Sequence, residues 1–318
     1  MRFLFRSLLL CLTGLAGTAL AAGPLLSPRQ LQDLLPQGAV VLDISDAPAY
    51  ALQHIPGALS APYGRWRGPA DNPGALLPLA RLTQLVQELG LSPASRVVVA
   101  HSGADATDFG AAARVYWTLK SLGLHQLSIL DGGLAGWKQA GLPLDKQPHR
   151  AQPSQWQPQF SPRWLATREQ VRAGLDQAQV LRVDSRPARF YEGRLAHGAA
   201  RARGTLPGAI NLDSELLFEL ERPVLLDKAA LQDETERLNL AEGQTIVTFC
   251  NTGHWAATDW FVLSELLGRP DVRLYDGSMV DWTQSPTPLP MSNEPGRWQQ
   301  LRYTALNWAH RNLGTAAP

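Results

Sequence analysis

The sequence predicts an α/β protein made of two copies of one domain, each with a mostly parallel central sheet flanked by helices. Short β-rich runs alternate along the chain with segments of helical periodicity. The runs Val97–Val99 and Ile246–Phe249 are uninterrupted apolar segments, as expected for parallel strands that are covered on both faces. A repeat of the same landmarks, offset by about 145 residues, predicts the duplication.

The landmarks of the repeat occur in the same order in both halves of the 318-residue chain, which is long enough for two domains of ordinary size. Each half contains a strand that ends in aspartate, a Pro-Gly-Ala turn, a second apolar strand, and an Asp-Gly turn followed by tryptophan. A unit of this length indicates a duplicated domain and not a solenoid repeat. The matched pairs are Asp43 with Asp184, Pro56 with Pro207, Asp131 with Asp276, and Trp137 with Trp282.

The strands and helices of each unit have recognisable boundaries. Thr167, with Gln170 three residues later, predicts a capping box at the start of a helix. Leu79–Leu89 and Val115–Leu122 have helical periodicity, and each is followed by a glycine that ends the helix. The predicted strands are Val40–Asp43 and Arg96–Ala100 in the first unit, and Val180–Asp184 and Thr245–Phe249 in the second.

Three segments of the chain lie outside the repeat. A Pro- and Gln-rich stretch separates the units and reads as an ordered linker. Gly296–Ala317 has the pattern of one helix with Trp298, Leu301, Leu306 and Trp308 on or near an apolar side, which we expect to dock on the second domain; the alternative is that it binds a partner. The predicted organisation is a signal peptide at 1–22, an N-terminal domain at 23–146, a linker at 147–162, a C-terminal domain at 163–290 and a helical extension at 291–318.

The first 22 residues have the pattern of a secretory signal peptide. Arg2 and Arg6 form a basic start, Leu8–Ala16 is an apolar run too short to span a bilayer, and Ala19–Ala21 supplies small residues for cleavage. We therefore expect export to the periplasm; the alternative is an uncleaved membrane anchor. Cleavage would remove Cys11 and leave one cysteine in the mature protein.

Charge and composition exclude some classes of partner. The formal net charge is +1 and charged residues make up 18% of the chain, so there is no broad basic surface for nucleic acid. No apolar stretch in the rest of the chain is long enough to span a bilayer, and we expect no stable membrane insertion.

Cys250, the cysteine that remains after cleavage, lies where open α/β sheets place their ligands. It follows the apolar strand Ile246–Phe249 and precedes Ala256–Leu263, which has helical spacing. A loop at this position can direct successive backbone N–H groups at one atom and so stabilise a thiolate, and Gly253 gives the loop the freedom to bend. The alternative is a buried cysteine that acts as a small apolar side chain.

These motifs resemble a tandem rhodanese over roughly residues 25–290. The resemblance rests on the strand-end aspartate, the Pro-Gly-Ala turn, a six-residue loop that begins with cysteine, and the Asp-Gly turn before tryptophan. It implies that Cys250 takes a sulfane sulfur from a small-molecule donor, carries it as a persulfide and passes it to a nucleophilic acceptor. It also implies that no metal or organic cofactor is needed.

The first domain lacks the thiol. Alignment of Val97–Ala100 on Ile246–Phe249 places His101 opposite Cys250, and imidazole cannot form a persulfide. We therefore expect the first domain to be catalytically inactive. His101 is then either a packed or solvated loop residue or a residue with a role of its own.

The candidate site residues surround Cys250. We expect His254 to add positive charge beside an anionic donor or to form a hydrogen bond with it, and Trp255 to form a wall of the pocket or simply to pack. Arg186 matches an arginine that the resemblance assigns to binding of the donor, for which a guanidinium is well suited; the alternative is a surface ion pair. Arg194, Arg201 and Arg203 lie in the same segment and cannot be ranked. The predicted catalytic residue is Cys250, and the predicted substrate-binding or loop residues are Arg186, Asn251, Thr252, Gly253, His254 and Trp255.

Thiosulfate is the first candidate donor because arginine and histidine favour a small dianion. One alternative is 3-mercaptopyruvate, and another is a persulfide carrier that hands sulfur to a partner protein without turnover. A phosphatase on the same fold would need arginine at the end of the loop, and the loop after Cys250 has none. A redox sensor would lack a second cysteine in the mature chain to resolve with.

Overall fold

The fold consists of two parallel sheets, one in each half of the chain, with helices packed on their faces. The structure is a computed structural model that describes residues 23–220 and 222–313. The predicted signal peptide and residues 314–318 of the predicted extension lie outside the described residues.

The first sheet has five strands in the order β1-β5-β4-β2-β3, and every adjacent pair is parallel. Helices connect the strands, as parallel pairing requires. The strands are β1 (Leu25–Leu26), β2 (Val40–Asp43), β3 (Leu59–Ser60), β4 (Arg96–Ala100) and β5 (Gln126–Leu130). The helices are α1 (Pro28–Leu34), α2 (Ala47–Leu52), α3 (Leu79–Glu88), α4 (Ala106–Ser121) and α5 (Gly133–Gln139).

The second sheet repeats this arrangement with four parallel strands in the order β7-β6-β8-β9. The strands are β6 (Val180–Asp184), β7 (Ile210–Asn211), β8 (Thr245–Phe249) and β9 (Val272–Leu274). The helices are α6 (Arg168–Ala173), α7 (Ala188–Tyr191), α8 (Lys228–Glu236), α9 (Trp255–Phe261), α10 (Ser278–Thr283) and α11 (Arg297–Leu313), and a π-helical turn at Val262–Leu266 continues α9. The predicted fold class is confirmed.

The predicted strand boundaries agree with the structure, and the predicted helix boundaries differ from it most at α4. Strands β2, β4, β6 and β8 have the predicted bounds, and Thr167 and Gln170 form the predicted capping box. Helix α4 is longer than predicted because Asp105 caps it: the Asp105 side chain accepts the N–H of Asp108 at 2.8 Å, so that the helix begins at Ala106.

The two halves share one apolar core. Helix α4 of the first half packs against α9 of the second, with the rings of Tyr116 and Phe261 edge-to-face at a centroid distance of 5.0 Å. The Glu265 carboxylate accepts a hydrogen bond from the Tyr116 hydroxyl and pairs with Lys120, both at 2.8 Å. The loop that carries Cys250 leads directly into α9, so this interface brings first-domain residues to the site.

The segment between the halves is ordered along the first domain. The N–H of Ser154 donates to the Gln87 carbonyl at 2.9 Å, and the N–H of Ser161 donates to the Ser121 carbonyl at 2.7 Å. Trp156 and Phe160 pack against the shared core.

Helix α11 lies on the second domain, but with the side opposite to the one predicted. Its polar side faces the domain, where Asn307 is buried and donates to the Arg194 carbonyl at 3.1 Å. Trp298, Leu301, Leu306 and Trp308, the residues predicted to dock, are exposed. The expectation about the docking side was wrong, because the hydrogen bonds that Asn307 and Thr304 make with the domain lie on the polar side of the helix.

Within the described ranges 23–220 and 222–313, no helix combines the length and the apolar character that are needed to cross a bilayer.

Candidate active site

Cys250 begins the loop between β8 and α9, at the carboxyl end of a central strand. It is the one cysteine among the described residues, its thiol is free, and its side chain is 1% exposed. The strand places it beside Asp184, because Asp184 is the register partner of Phe249 in the neighbouring strand β6.

The backbone of the loop forms a cradle whose amides donate to the sulfur and to the Ser278 hydroxyl. The N–H of His254 donates to Cys250 Sγ at 3.2 Å. The N–H groups of Cys250 and Gly253 both donate to the Ser278 hydroxyl, at 3.0 and 3.1 Å, and this hydroxyl in turn donates to the Tyr275 carbonyl. The N–H groups of Asn251, Thr252 and Trp255 have no acceptor among the described residues. Free amides near a sulfur stabilise a thiolate or a bound anion.

Gly253 is required by the curvature of this loop. Its φ of +66° lies in the left-handed region, and a Cβ atom there would lie 2.3 Å from the Asp276 carbonyl oxygen and 2.4 Å from an Arg114 nitrogen. The glycine therefore allows the first domain and the turn at Asp276 to approach the loop closely.

A cavity of about 190 Å³ opens beside the sulfur. Five of the seven predicted site residues line this cavity, and the other two, Arg186 and Gly253, do not. The lining residues are Thr107, His197, Cys250, Asn251, Thr252, His254 and Trp255.

His254 does not supply the positive charge that was expected of it. Burial, the largest cause, and the positive charges of Arg67 and Arg114 together lower its pKa to about 4. Its Nε2 lies 2.5 Å from the Thr107 carbonyl and its Nδ1 lies 3.1 Å from the Tyr63 hydroxyl. The ring is therefore neutral at pH 7, with its proton on Nε2, and it joins the loop to the first domain.

Trp255 forms a wall of the cavity. Its indole N–H donates to the Thr107 hydroxyl at 3.0 Å, and its ring packs against Phe190 at a centroid distance of 5.8 Å. Both partners hold the ring in one orientation, so its position at the cavity is fixed.

The structure does not place Arg186 where it can bind a donor. Its side chain is 2% exposed, and four of its five N–H groups have partners within the protein. Two donate to the Asp184 carboxylate, at 2.6 and 2.8 Å, one donates to the Gly204 carbonyl, and one donates to Asn251 Oδ1 at 3.3 Å. Arg186 thus forms a buried ion pair that supports Asn251 from behind the loop.

The three arginines that the sequence could not rank all lie outside the cavity lining. Arg194 pairs with Glu192, Arg203 donates to the Arg194 carbonyl and to Thr304, and Arg201 is exposed.

The first domain contributes cations that the sequence did not reveal. Arg67 donates to the Thr252 carbonyl at 3.0 Å and lies over the Tyr63 ring at 5.3 Å. Arg114, buried in α4, donates to the carbonyls of Gly74 and Gly253 at 2.9 and 3.4 Å. A sequence signal for Arg114 did exist, because it is a lone charge in the apolar run Ala111–Val115.

His197 is the second residue of the cavity lining, after Thr107, that the sequence did not single out. The N–H of Ala199 donates to its Nδ1 at 3.1 Å, so a neutral ring carries its proton on Nε2. Burial lowers the pKa of His197, and the charge of Arg67 acts in the same direction. Within the described residues its Nε2 has no hydrogen-bond partner, which leaves the N–H free for a ligand.

The equivalent loop of the first domain holds a carboxylate of its own. Asp108 Oδ2 accepts hydrogen bonds from the Ser102 hydroxyl at 2.6 Å and from the N–H groups of Gly103 and Ala104 at 2.7 and 3.3 Å, and it lies 3.2 Å from His101 Nδ1. Burial opposes ionisation, but the bonds from His101 and Ser102 hold the pKa of Asp108 well below its usual range. The equivalent loop of the first domain has His101 in place of the thiol, and its Gly103 and Ala104 N–H groups already donate to the Asp108 carboxylate.

We expect Asp108→Ala to lower the free energy of unfolding by about 1.5–3 kcal/mol, because it removes the charged acceptor of this loop. Since the pKa of Asp108 is lowered by folding, its contribution is present above the unfolded pKa of 3.8 and is lost as the pH falls. Urea unfolding between pH 7 and pH 3 measures both effects. The exposed Asp33→Ala is the control; an equal loss in both variants would contradict this role of Asp108.

A thiol that accepts a loop N–H at the end of a parallel strand, in the second of two duplicated α/β domains, defines a protein of the cysteine-dependent sulfur-transfer class. The family model of the rhodanese-like domain matches residues 27–140 and 167–285. The chain belongs to the rhodanese family.

Two curated relatives and one solved structure illustrate the similarity. The thiosulfate sulfurtransferase of Pseudomonas aeruginosa is 31% identical over 253 residues, which cover 79% of this chain and 90% of the relative. The 3-mercaptopyruvate sulfurtransferase of Rattus norvegicus is 30% identical over 237 residues, 72% of this chain and 77% of the relative. SseA from Escherichia coli, a 3-mercaptopyruvate sulfotransferase, shares the fold at 23% identity with a TM-score of 0.71, over 81% of this chain and 99% of that one.

Proposed function

We propose that this protein transfers a sulfane sulfur from a donor such as thiosulfate to a thiophilic acceptor through a persulfide on Cys250. The observation that carries the proposal is the cradle: the His254 N–H contacts Cys250 Sγ at 3.2 Å, and the amides of Asn251, Thr252 and Trp255 have no acceptor among the described residues. These amides are available to hold the charge of a persulfide.

In the first step the Cys250 thiolate attacks the sulfane sulfur of thiosulfate. A new S–S bond forms, the S–S bond of thiosulfate breaks, and sulfite leaves with the electron pair. In the second step an acceptor such as cyanide attacks the outer sulfur, a C–S bond forms, and the Cys250 thiolate is released as thiocyanate departs.

The anionic part of the donor is bound by groups other than those the sequence suggested. Arg186 is engaged within the protein and His254 is neutral. The Nε2–H of His197 has no partner among the described residues, and the charge of Arg67, which donates to the carbonyl of the lining residue Thr252, acts on His197. A small anion is the ligand that this pair of groups suits.

We expect His197→Ala to lower kcat/KM for thiosulfate by about tenfold to a hundredfold, the value of a hydrogen bond to a charged ligand. The loss should appear mainly in KM, because the bond is made to the donor in the ground state as well as in the transition state. The control is His125→Ala, an exposed histidine elsewhere in the first domain. Unchanged kcat and KM in His197→Ala would show that His197 does not bind the donor.

The function is tested by thiocyanate formation from cyanide with either thiosulfate or 3-mercaptopyruvate, together with the intact mass after donor treatment. Turnover with thiosulfate and a mass gain of one sulfur atom support the proposal. Turnover with 3-mercaptopyruvate alone assigns that donor, and a mass gain without turnover indicates a carrier for a partner protein. Neither signal with either donor would overturn the proposal.

We also propose that the second domain, residues 163–290, is the catalytic unit and that the first is inactive. Export to the periplasm remains part of the proposal and rests on the signal-peptide pattern of residues 1–22. Fractionation of the source cells, with N-terminal sequencing of the mature protein, tests it; an intact N-terminus in the cytoplasmic fraction would contradict it.

A further inference from the structure

Helix α11 exposes the side that a helix of a soluble protein normally buries. Its polar side faces the second domain, through Asn307 and through Thr304, whose hydroxyl accepts a hydrogen bond from Arg203 at 3.3 Å. On the other side Trp298 is 85% exposed, Leu301 62% and Trp308 58%. Residues of this kind cost free energy in water unless another surface covers them.

The exposed residues form one continuous stripe. Trp298, Leu301, Ala305 and Trp308 follow each other at intervals of three, four and three residues, which places them on one face of the helix. The exposed side chains of Leu306 and Leu313 extend the same surface along its edge. We call this surface, formed by Trp298, Leu301, Ala305, Leu306, Trp308 and Leu313, the apolar stripe.

The charged side chains of the helix that carries the apolar stripe have one sign. Arg297–Leu313 contains three arginines and neither aspartate nor glutamate. Arg297 precedes Leu301 by one turn and Arg302 follows Trp298 by one turn, and both are exposed beside the stripe. An apolar surface with this border is complementary to an anionic one.

We propose that the apolar stripe binds the surface of a membrane that contains anionic phospholipid. The helix would lie in the plane of the interface, with the two tryptophans and the leucines among the headgroups and acyl chains and with Arg297 and Arg302 extended to lipid phosphates. This is peripheral binding and is distinct from a membrane-spanning helix. The membrane would then contact α11, the helix that binds Arg194 and Arg203. These two arginines belong to the same segment of the chain as His197.

A second copy of the chain fits this surface less well. In a two-fold symmetric contact each residue near the axis meets its own counterpart, so the arginines of both helices would come together. The helix contains no acidic residue that could pair with them.

The test is co-sedimentation of the purified protein with vesicles made either of phosphatidylcholine or of equal parts of phosphatidylcholine and phosphatidylglycerol. We expect binding to the anionic vesicles and its loss in about 0.5 M NaCl, where charges are screened. Arg297→Gln with Arg302→Gln should weaken the partition coefficient about 25-fold, at about fivefold per arginine. Trp298→Ala with Trp308→Ala should weaken it at least about tenfold.

Matched controls come from other exposed residues. Leu52→Ala with Leu220→Ala removes apolar side chains of similar exposure, and Arg81→Gln with Arg269→Gln removes the same charge, so both pairs should bind like the wild type. Circular dichroism checks that every variant is folded. Absence of binding to anionic vesicles overturns the proposal. If sedimentation velocity also shows a dimer that Trp298→Ala with Trp308→Ala dissociates, the stripe is instead an interface between copies.

Discussion

Replacement of Cys250 by alanine is expected to lower thiocyanate formation by at least about a thousandfold and to leave the fold intact. Cys250 is the one thiol in the part of the chain that the structure describes, and the cavity beside it offers no other side chain that can form a persulfide. The fold should survive because alanine removes one buried sulfur atom and leaves the hydrogen bonds of the Cys250 and Gly253 amides to Ser278 in place.

Cys250→Ser is the matched variant for this experiment. A serine hydroxyl can still accept the His254 N–H, so the loop should keep its shape, while the hydroxyl is too weak a nucleophile to take up sulfur. Intact mass after thiosulfate treatment should show one added sulfur atom in the wild type and none in either variant. An added sulfur atom in Cys250→Ala would place the persulfide elsewhere in the chain.

The duplicated fold was predictable because its signals are local. Strands β4 and β8 are uninterrupted apolar runs, and the bounds of both follow from the residues that flank them. The position of Cys250 followed from the same rule, since a loop that leaves a central parallel strand lies at the carboxyl edge of the sheet.

The charge state of the site was not predictable, because it depends on contacts between the two halves. Periodicity shows that α4 has apolar faces, but not that one of them packs on α9. The pKa of His254 is lowered because its ring is buried and because the charges of Arg67 and Arg114, which belong to the first half of the chain, oppose its protonation. His197 lies in a segment without periodicity, and nothing in the sequence separates it from its neighbours.

The docking side of α11 was mispredicted for a related reason. An apolar stripe indicates that a surface will be covered, and we expected the second domain to cover it. The structure instead uses Asn307 and Thr304 for the contact and leaves Trp298 exposed. The pattern identified the surface but could not identify what binds it.

Substitution of Arg186 distinguishes a role in binding the donor from a role in supporting the loop that carries Asn251. We expect Arg186→Gln to lower the free energy of unfolding by about 3–5 kcal/mol, because it leaves the Asp184 carboxylate buried without its ion pair. Catalysis should fall mainly in kcat, since Asn251 loses the guanidinium that positions it in the loop. Urea unfolding and steady-state kinetics with thiosulfate measure the two effects.

Two further variants make the result decisive. Arg189→Gln removes an exposed arginine three residues away, and we expect it to change neither stability nor kcat. Asp184→Asn with Arg186→Gln removes both charges, so part of the lost stability should return, because no uncompensated charge remains buried. Wild-type stability in Arg186→Gln together with a raised KM for thiosulfate would instead restore the donor-binding role. The buried bidentate geometry at 2.6 and 2.8 Å favours the supporting role, because four of the five N–H groups already donate within the protein and the side chain is 2% exposed.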